Sequence, residues 1–315
     1  MQDELYRCRD QAAKATRAVY SVGVTIPPIE KVIMDRRSFL QATSLIAGAA
    51  VTGEPSLAGQ FTGKIKKAVK FHMVAGDASV EDKFRLVKDL GFDGVETRTK
   101  LDTASQSLIQ SYAAASEKTG LPIHGLIHSS NPDLIGAIDQ AKFLGAHSVL
   151  HVVRYDQKIG YMQNYRETQA IIRQAIEHAE KQQVMILLEN VWASFLIEPL
   201  GMARYIDELN SPMVGSYFDV GNVVRWGWPQ HWIEVLGKRI KKLDIKEYDL
   251  QIAMNDGMRK AFDKPLGEGS IDWAKVRQQL SAINYQGWAT AEVRGGDQPR
   301  LADIASQMDR VLDLS

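Results

Sequence analysis

From residue 64 onward, short apolar runs alternate with longer stretches in which apolar positions recur every three or four residues. The first pattern predicts buried strands and the second amphipathic helices; their regular alternation predicts a parallel sheet covered by helices. Strands are expected at 68–73, 94–97, 123–127, 148–153, 184–191, 215–220, 240–245 and 288–293. Helical patterns run over 80–90, 104–119, 133–144, 164–182, 200–209, 230–236, 272–283 and 302–312. Gly91, Gly120 and Gly145 stand where a helix needs a left-handed residue to end, just before the next strand. Eight such units in about 250 residues fit a single-domain (β/α)8 TIM barrel. Alternation does not show closure, so a doubly wound open sheet competes. Either fold collects ligands at the C-terminal ends of its strands.

The region before residue 64 follows a different logic. Arg36 and Arg37, then Phe39-Leu40 and a short Ala/Gly-rich run to about residue 53, resemble a twin-arginine export signal. The run is too short to span a bilayer as a stable helix, so no membrane anchor is expected. Met34 opens this segment, which marks 1–33 as an upstream extension, 34–63 as signal and linker, and 64–315 as the barrel. Export by the twin-arginine route, into a periplasm, is the expectation.

Composition narrows the chemistry. With 38 Lys plus Arg against 38 Asp plus Glu, the chain is electrically balanced, which argues against a nucleic-acid or anionic-membrane partner. A small molecule is the expected partner, and the oligomeric state stays open. The lone cysteine, Cys8, lies upstream of the signal, so disulfide frameworks, thiolate metal sites and a cysteine nucleophile are excluded from the barrel.

Four acids stand out because each ends an apolar strand. They are Glu189 in Leu187-Leu188-Glu189-Asn190, Asp219 in Tyr217-Phe218-Asp219-Val220, Asp244 in Leu243-Asp244-Ile245, and Glu292 in Ala291-Glu292-Val293. A carboxylate inside an apolar run loses its hydration unless a cation or hydrogen bonds replace the water. Four of them converging on one barrel mouth would repel one another without a cation. Oxygen-only ligation favours Mn2+ or Mg2+ over Zn2+.

These motifs, with Gly91-Phe92-Asp93-Gly94-Val95-Glu96, Phe218-Asp219-Val220-Gly221-Asn222, Lys246-Glu247-Tyr248-Asp249 and Pro265-Leu266-Gly267-Glu268-Gly269-Ser270-Ile271-Asp272-Trp273, resemble the xylose-isomerase-like barrel superfamily. That superfamily includes sugar-phosphate isomerases, ketose 3-epimerases and apurinic endonucleases, and the similarity runs over about 66–312. The resemblance implies a divalent metal held by Glu189, Asp219 and Glu292, with a histidine at the position of Asp244. Here that histidine is aspartate, and Asn222 stands where a second histidine commonly follows the sixth-strand acid. If all four acids bind, the four anionic ligands lower the Lewis acidity of the metal.

Other polar residues fall near the same strand ends. Glu96, His128, His151 and Arg154 are expected to line the mouth as substrate-binding groups. Lys246, on the same strand face as Asp244, binds a substrate oxygen or neutralises the acids. Trp192, Trp226 and Trp228 lie in loops where a flat ring can stack on a sugar, and Asn222 completes the substrate-binding set. The leading expectation is an isomerase or epimerase of a sugar or keto-sugar, with Glu189 and Glu292 as the proton-transfer pair. A lyase or hydrolase of keto-glycosides is the alternative, and a carbohydrate-binding protein with a decayed site is a third. An exported enzyme meets free sugars or oxidised glycosides more readily than sugar phosphates. Endonuclease activity fits poorly with only seven histidines and no net charge.

Overall fold

The computed structural model describes residues 58–192 and 195–315; the extension at 1–33 and the twin-arginine run lie outside them. Eight strands run in chain order: β1 (Ile65–Lys70), β2 (Gly94–Arg98), β3 (Ile123–Ser129), β4 (Ser148–His151), β5 (Met185–Glu189), β6 (Val214–Asp219), β7 (Ile240–Ile245) and β8 (Gly287–Ala291). Each pairs in parallel with its neighbours, and β8 pairs with β1 from Ile65↔Gly287 to Val69↔Ala291. The sheet is therefore a closed (β/α)8 barrel, and the open-sheet alternative is excluded.

Helices follow the strands: α1 (Val80–Asp89), α2 (Gln106–Thr119), α3 (Leu134–Phe143), α4 (Tyr161–Gln182), α5 (Pro199–Leu209), α6 (Pro229–Leu236), α7 (Leu250–Asn255), α8 (Trp273–Ala282) and α9 (Gln298–Leu312). The aspartates expected to open α3 and α8 are their caps, Asp133 and Asp272 accepting the N–H groups of Gly136 and Lys275. At the other end of α2, Gly120 takes φ 67°, a conformation that relieves the last turn at no Cβ cost. The six-residue α7 that follows β7 has no counterpart in the periodicity because it is shorter than two helical turns.

Strand β1 lies three residues upstream of its expected place. Its lysines disguise it: Lys67 is buried and reaches Asp309 on α9 at 2.7 Å, while residues 71–73 of the apolar run form a 3-10 turn instead. Packing also begins before residue 64, since Phe61 is buried and its N–H donates to the Asp313 carbonyl at 3.1 Å.

Most of the core lies between barrel and helices, but the barrel interior is divided. One inner patch is apolar, made by Ile127, Leu150, Leu187 and Tyr217. The rest of the inner wall is a polar chain from β1, β2, β3, β7 and β8. The Tyr217 hydroxyl lies 2.7 Å from Thr290 Oγ1 and 3.3 Å from Glu96 Oε2, and Thr290 lies 3.2 Å from His124 Nε2. Lys242 donates to His124 Nδ1 at 2.8 Å and to its carbonyl at 2.7 Å. Burial holds the His124 imidazole neutral, well below its usual titration, so Nδ1 accepts from Lys242 and Nε2–H donates to Thr290. Lys242 is itself pushed down to about 7 by burial, against the pull of Glu96 and Asp244. This floor sits beneath the mouth and fixes the inner ends of the strands that carry the acids.

Candidate active site

Strand register delivers the acids. Asp219 on β6 lies opposite Asp244 on β7, Asp244 opposite Thr290 on β8, and the Glu292 N–H follows on by donating to the Ile245 carbonyl at 2.9 Å. One carboxylate oxygen from each of Glu189, Asp219, Asp244 and Glu292 lies within 4.8 Å of the others. The fold thus brings together the four acids singled out at the strand ends.

Depth separates them. Asp219 and Asp244 are fully buried and Glu189 nearly so, whereas 31% of the Glu292 side chain faces the mouth. Asp244, which ends its apolar run in the sequence, does not sit at an exposed strand end, because β7 continues to Ile245 and buries it beneath the rim. Its partner is neither of the lysines nearest to it in sequence, Lys242 and Lys246. Lys70, at the end of β1, donates to Asp244 Oδ2 at 2.9 Å and lies 3.0 Å from Glu292 Oε2. Lys246 completes the cluster, 2.7 Å from Asp219 Oδ2 and 2.8 Å from Glu292 Oε2. Both contacts to Glu292 are ion pairs at angles poorly suited to hydrogen bonding, which leaves Oε2 electrostatically but not directionally satisfied.

The charges set the protonation pattern. Burial raises Asp219, Asp244 and Glu96 above the ordinary carboxylate range, partly offset by the neighbouring lysines. Burial and the charge of Glu292 push Glu189 up to about 8. For Glu292 burial acts in the same direction, but Lys246 and Lys70 outweigh it and hold the carboxyl at about 2. Lys70 and Lys246 remain ammonium ions: burial disfavours their charge, but their acidic neighbours more than compensate. Two carboxyls in one cluster are thus driven apart, one toward keeping a proton and one toward losing it.

Loops after β5 and β6 hold the rim. The Asp219 Oδ1 accepts the N–H groups of Gly221 and Asn222 at 2.9 and 2.8 Å, which leaves Oδ2 for the cluster. Asn222 donates through Nδ2 to the Asn190 carbonyl at 3.0 Å and accepts Lys246 at 3.4 Å. The Trp192 indole N–H donates to the Asn222 carbonyl at 2.8 Å, and its ring packs on Tyr248 and Phe262. Beyond Trp192 opens a pocket of about 720 Å³ lined by Arg154, Tyr155, Arg225 and Trp226. Trp228 stays exposed at the entrance to α6.

Three expected mouth residues sit elsewhere. Glu96 lies wholly inside the barrel, against the Tyr217 hydroxyl, as part of the floor. His151 follows Leu150, which faces the barrel axis, so its own side chain faces outward; its ring stacks with that of His128, 6.4 Å away. His128 Nδ1 is 3.0 Å from Thr99 Oγ1, burial pushes His151 down to about 4, and no acid of the cluster is among the groups that perturb either ring. The physical reason is strand alternation: His128 and His151 each follow a residue that faces the barrel interior, Ile127 and Leu150.

Lys70, Asn190 and Glu247 are site residues that the sequence reading passed over. Glu247 is buried and binds the loop before α8, accepting the Gly267 N–H at 2.7 Å and the Trp273 indole at 2.9 Å. That is the structural content of the 265–273 motif.

The donor set suits a divalent cation. Among the described residues Asp244 Oδ1 is buried with no hydrogen-bond partner, and Asp219 Oδ2 and Glu292 Oε2 have only ion-pair contacts. Counting Glu96 and Lys242 below, five buried or half-buried carboxyls face three lysines, and a fully ionised centre would carry two excess negative charges. One divalent cation neutralises them.

Barrel and centre together define a (β/α)8 enzyme architecture with an acid–lysine cluster at its C-terminal mouth. The chain belongs to the xylose isomerase-like TIM barrel family, whose signature matches residues 84–313. It is 28% identical over 240 residues to SgbU of Escherichia coli (strain K12), a proposed L-ribulose-5-phosphate 3-epimerase, covering 68% of this chain and 83% of that protein. Among solved structures it resembles D-allulose 3-epimerase from Methylomonas sp., with a TM-score of 0.65 at 17% identity over 79% of this chain and 98% of the other. The IOLI protein, solved with a bound zinc atom, matches at a TM-score of 0.64 and 17% identity over 78% of this chain and 98% of its own.

Proposed function

We propose that this protein is a metal-dependent epimerase or isomerase that moves a proton on the carbon beside the carbonyl of a sugar or keto-sugar. It is an enzyme of the sugar isomerase and epimerase class, in keeping with its epimerase relatives. The observation that carries the mechanism is the convergence of Glu189 and Glu292 in one cluster, with Lys70 and Lys246 set against Glu292 at 3.0 and 2.8 Å. Glu292, ionised by Lys70 and Lys246 and open to the mouth, takes the proton from carbon. Glu189 returns a proton to the opposite face. Lys246 keeps Glu292 charged before the transfer and stabilises the charge that develops on the substrate oxygen.

Glu189, Asp219 and Glu292, with Asp244 behind them, would hold the cation. When bound, it supplies Lewis-acid stabilisation of the oxygen beside the reacting carbon. Mn2+ or Mg2+ suits the all-oxygen donor set better than Zn2+. Asn222 and Trp192 shape the rim, and the pocket at Arg154 and Trp226 receives the remote part of the sugar.

The Arg36-Arg37 signature supports export by the twin-arginine route, and with it a free sugar or keto-glycoside as substrate. Changing both arginines to lysine is expected to leave precursor in the cytoplasm, and unchanged export removes this part of the reading. The function itself is tested in D2O: metal-loaded protein is incubated with free ketopentoses, ketohexoses and 3-keto-glucosides, and products are read by NMR. Deuterium entering beside the carbonyl, lost in Glu189→Gln and Glu292→Gln and after chelation, is the expected result. No exchange with any substrate would contradict the proposal.

A further inference from the structure

The barrel has a second concave end. Where β1, β5, β7 and β8 begin, opposite the acids, lies a cavity of about 780 Å³. Its charged lining is of one sign: Lys64, Lys66, Lys238, Lys241 and Lys242, with His147 beside them, and neither an acid nor an arginine. Lys242 is spent on His124, and Lys64 donates to the Gln60 carbonyl at 3.0 Å. Among the described residues the ammonium groups of Lys66, Lys238 and Lys241 have no ion pair and no hydrogen bond to protein; that of Lys66 lies over the Trp288 ring at 5.3 Å. The neighbouring acid, Asp207, is engaged by Arg239 through two contacts of 2.7 and 2.6 Å. The positive field reaches half-buried atoms as well: burial and the charges of Lys242 and Lys66 push His147 down to about 4, with no acid acting against them.

The inner wall of this cavity is packed. Trp288 is 8% exposed, its ring stacks on His124 with centroids 4.3 Å apart, and Gly94 leaves room for it where a Cβ would lie 2.8 Å from the ring. The Trp288 carbonyl accepts the Tyr285 hydroxyl at 2.7 Å. Glu292 follows Trp288 by four residues, about 13 Å at the rise of a parallel strand, so cavity and acid cluster are separate places.

The geometry points to a second ligand site at this end of the barrel, for a small molecule carrying phosphoryl groups. Like charges gathered in one concavity repel one another until an anion joins them. Ammonium groups act as point charges and suit the several charges of a phosphate, whereas a single carboxylate is matched better by the planar fork of arginine. A cavity fits a small ligand; a nucleic acid asks for a long basic stripe. The site stands independently of the epimerase chemistry.

Titration of inorganic pyrophosphate and of a nucleoside diphosphate into the full-length protein, without divalent metal and at constant ionic strength, tests this by 31P NMR. Lys66 is exposed and Lys241 half-buried, so Lys66→Ala/Lys241→Ala is expected to keep the fold, as checked by circular dichroism. It is expected to weaken binding of both probes about tenfold or more, whereas Arg154→Ala/Arg225→Ala, which removes as much charge at the mouth, changes it less than about twofold. Equal affinity for the two probes assigns the site to the phosphoryl groups themselves, and tighter binding of the nucleoside diphosphate assigns it to an organic phosphate; both support the proposal. Equal losses in the two double variants would overturn it, because the attraction would then be that of net charge alone. A loss confined to the arginine variant would move the anion to the mouth, and no binding of either probe to wild type would remove the site. An oligothymidylate that binds more tightly than pyrophosphate, and through the same lysines, would overturn the assignment to a small ligand.

Discussion

Asn190 and Asp219 clasp one another across the ends of β5 and β6. The Asn190 amide donates to the Asp219 carbonyl at 2.8 Å, and its oxygen accepts the Asp219 N–H at 2.9 Å. Side chain thus replaces backbone at the point where the ladder ends, and it fixes the main chain from which the Asp219 carboxylate projects. Asn190→Ala leaves a buried N–H and a buried carbonyl without partners. The expected cost is about 1–3 kcal/mol in urea denaturation, with turnover lowered more than KM is raised. Unchanged stability and turnover would show that Asp219 is held by other means.

A pH prediction follows from Glu189. Its folded-state value of about 8 lies above the ordinary 4.5, so between those values the folded protein binds more protons than the unfolded chain. Stability from this group is present below about pH 4.5 and lost as pH rises toward 8. His147 and His151, held near 4 by burial, act in the opposite direction between about pH 4 and 6.5. The absolute curve therefore mixes signs, and the informative quantity is wild type minus Glu189→Gln in metal-free protein. That difference is expected to fall steadily from pH 5 to 8, as read by urea midpoints. A flat difference would mean that Glu189 does not carry the proton.

The same geometry shows what a sequence reader can and cannot see. Eight strands were legible because parallel strands covered by helices read as continuous apolar runs, and the acids were legible because they interrupt those runs at their ends. Lys70 was not, although it ends β1 as Glu189 ends β5: a search for metal ligands looks for acids, and the cation that pairs with them lies 174 residues from Asp244 along the chain. Depth was also hidden. Nothing in Leu243-Asp244-Ile245 tells a rim acid from one a layer below it, because that depends on where β7 stops relative to β6 and β8. His128 and His151 lie at the right strand ends but on the wrong face, one residue past the inward-facing Ile127 and Leu150.

The pocket beside Trp192 yields a specificity prediction. The Arg225 guanidinium lies over Trp226 at 4.1 Å and over Trp192 at 5.2 Å, so one cation holds both rings. Trp226 is 64% exposed and lines a pocket whose walls include none of the four acids, which assigns it to binding. Trp226→Ala is expected to raise KM about three- to tenfold while kcat stays within about twofold, the pattern for loss of a contact made equally in ground and transition states. A fall in kcat with KM unchanged would place this loop in the chemistry instead.

Gly221 gives the sharpest test of Lys246. Its φ is not in the left-handed region, so alanine is tolerated by the backbone, yet an added Cβ would collide with Lys246 Cγ and lie 3.1 Å from Cδ. Cγ is close to the main chain, and the clash is relieved only by moving the whole lysine stem. The ammonium then leaves Asp219 and Glu292, which lie 2.7 and 2.8 Å from it. Without that charge the Glu292 carboxyl rises from about 2 toward the ordinary range, and the difference from Glu189 narrows. Gly221→Ala should therefore lower kcat about tenfold or more and move the acidic limb of the pH–rate profile to higher pH, with the fold retained. Lys246→Met should do the same. Because the glycine acts only through the lysine, the double variant is expected to be no worse than Lys246→Met alone, and multiplying losses would show that Gly221 has a separate role.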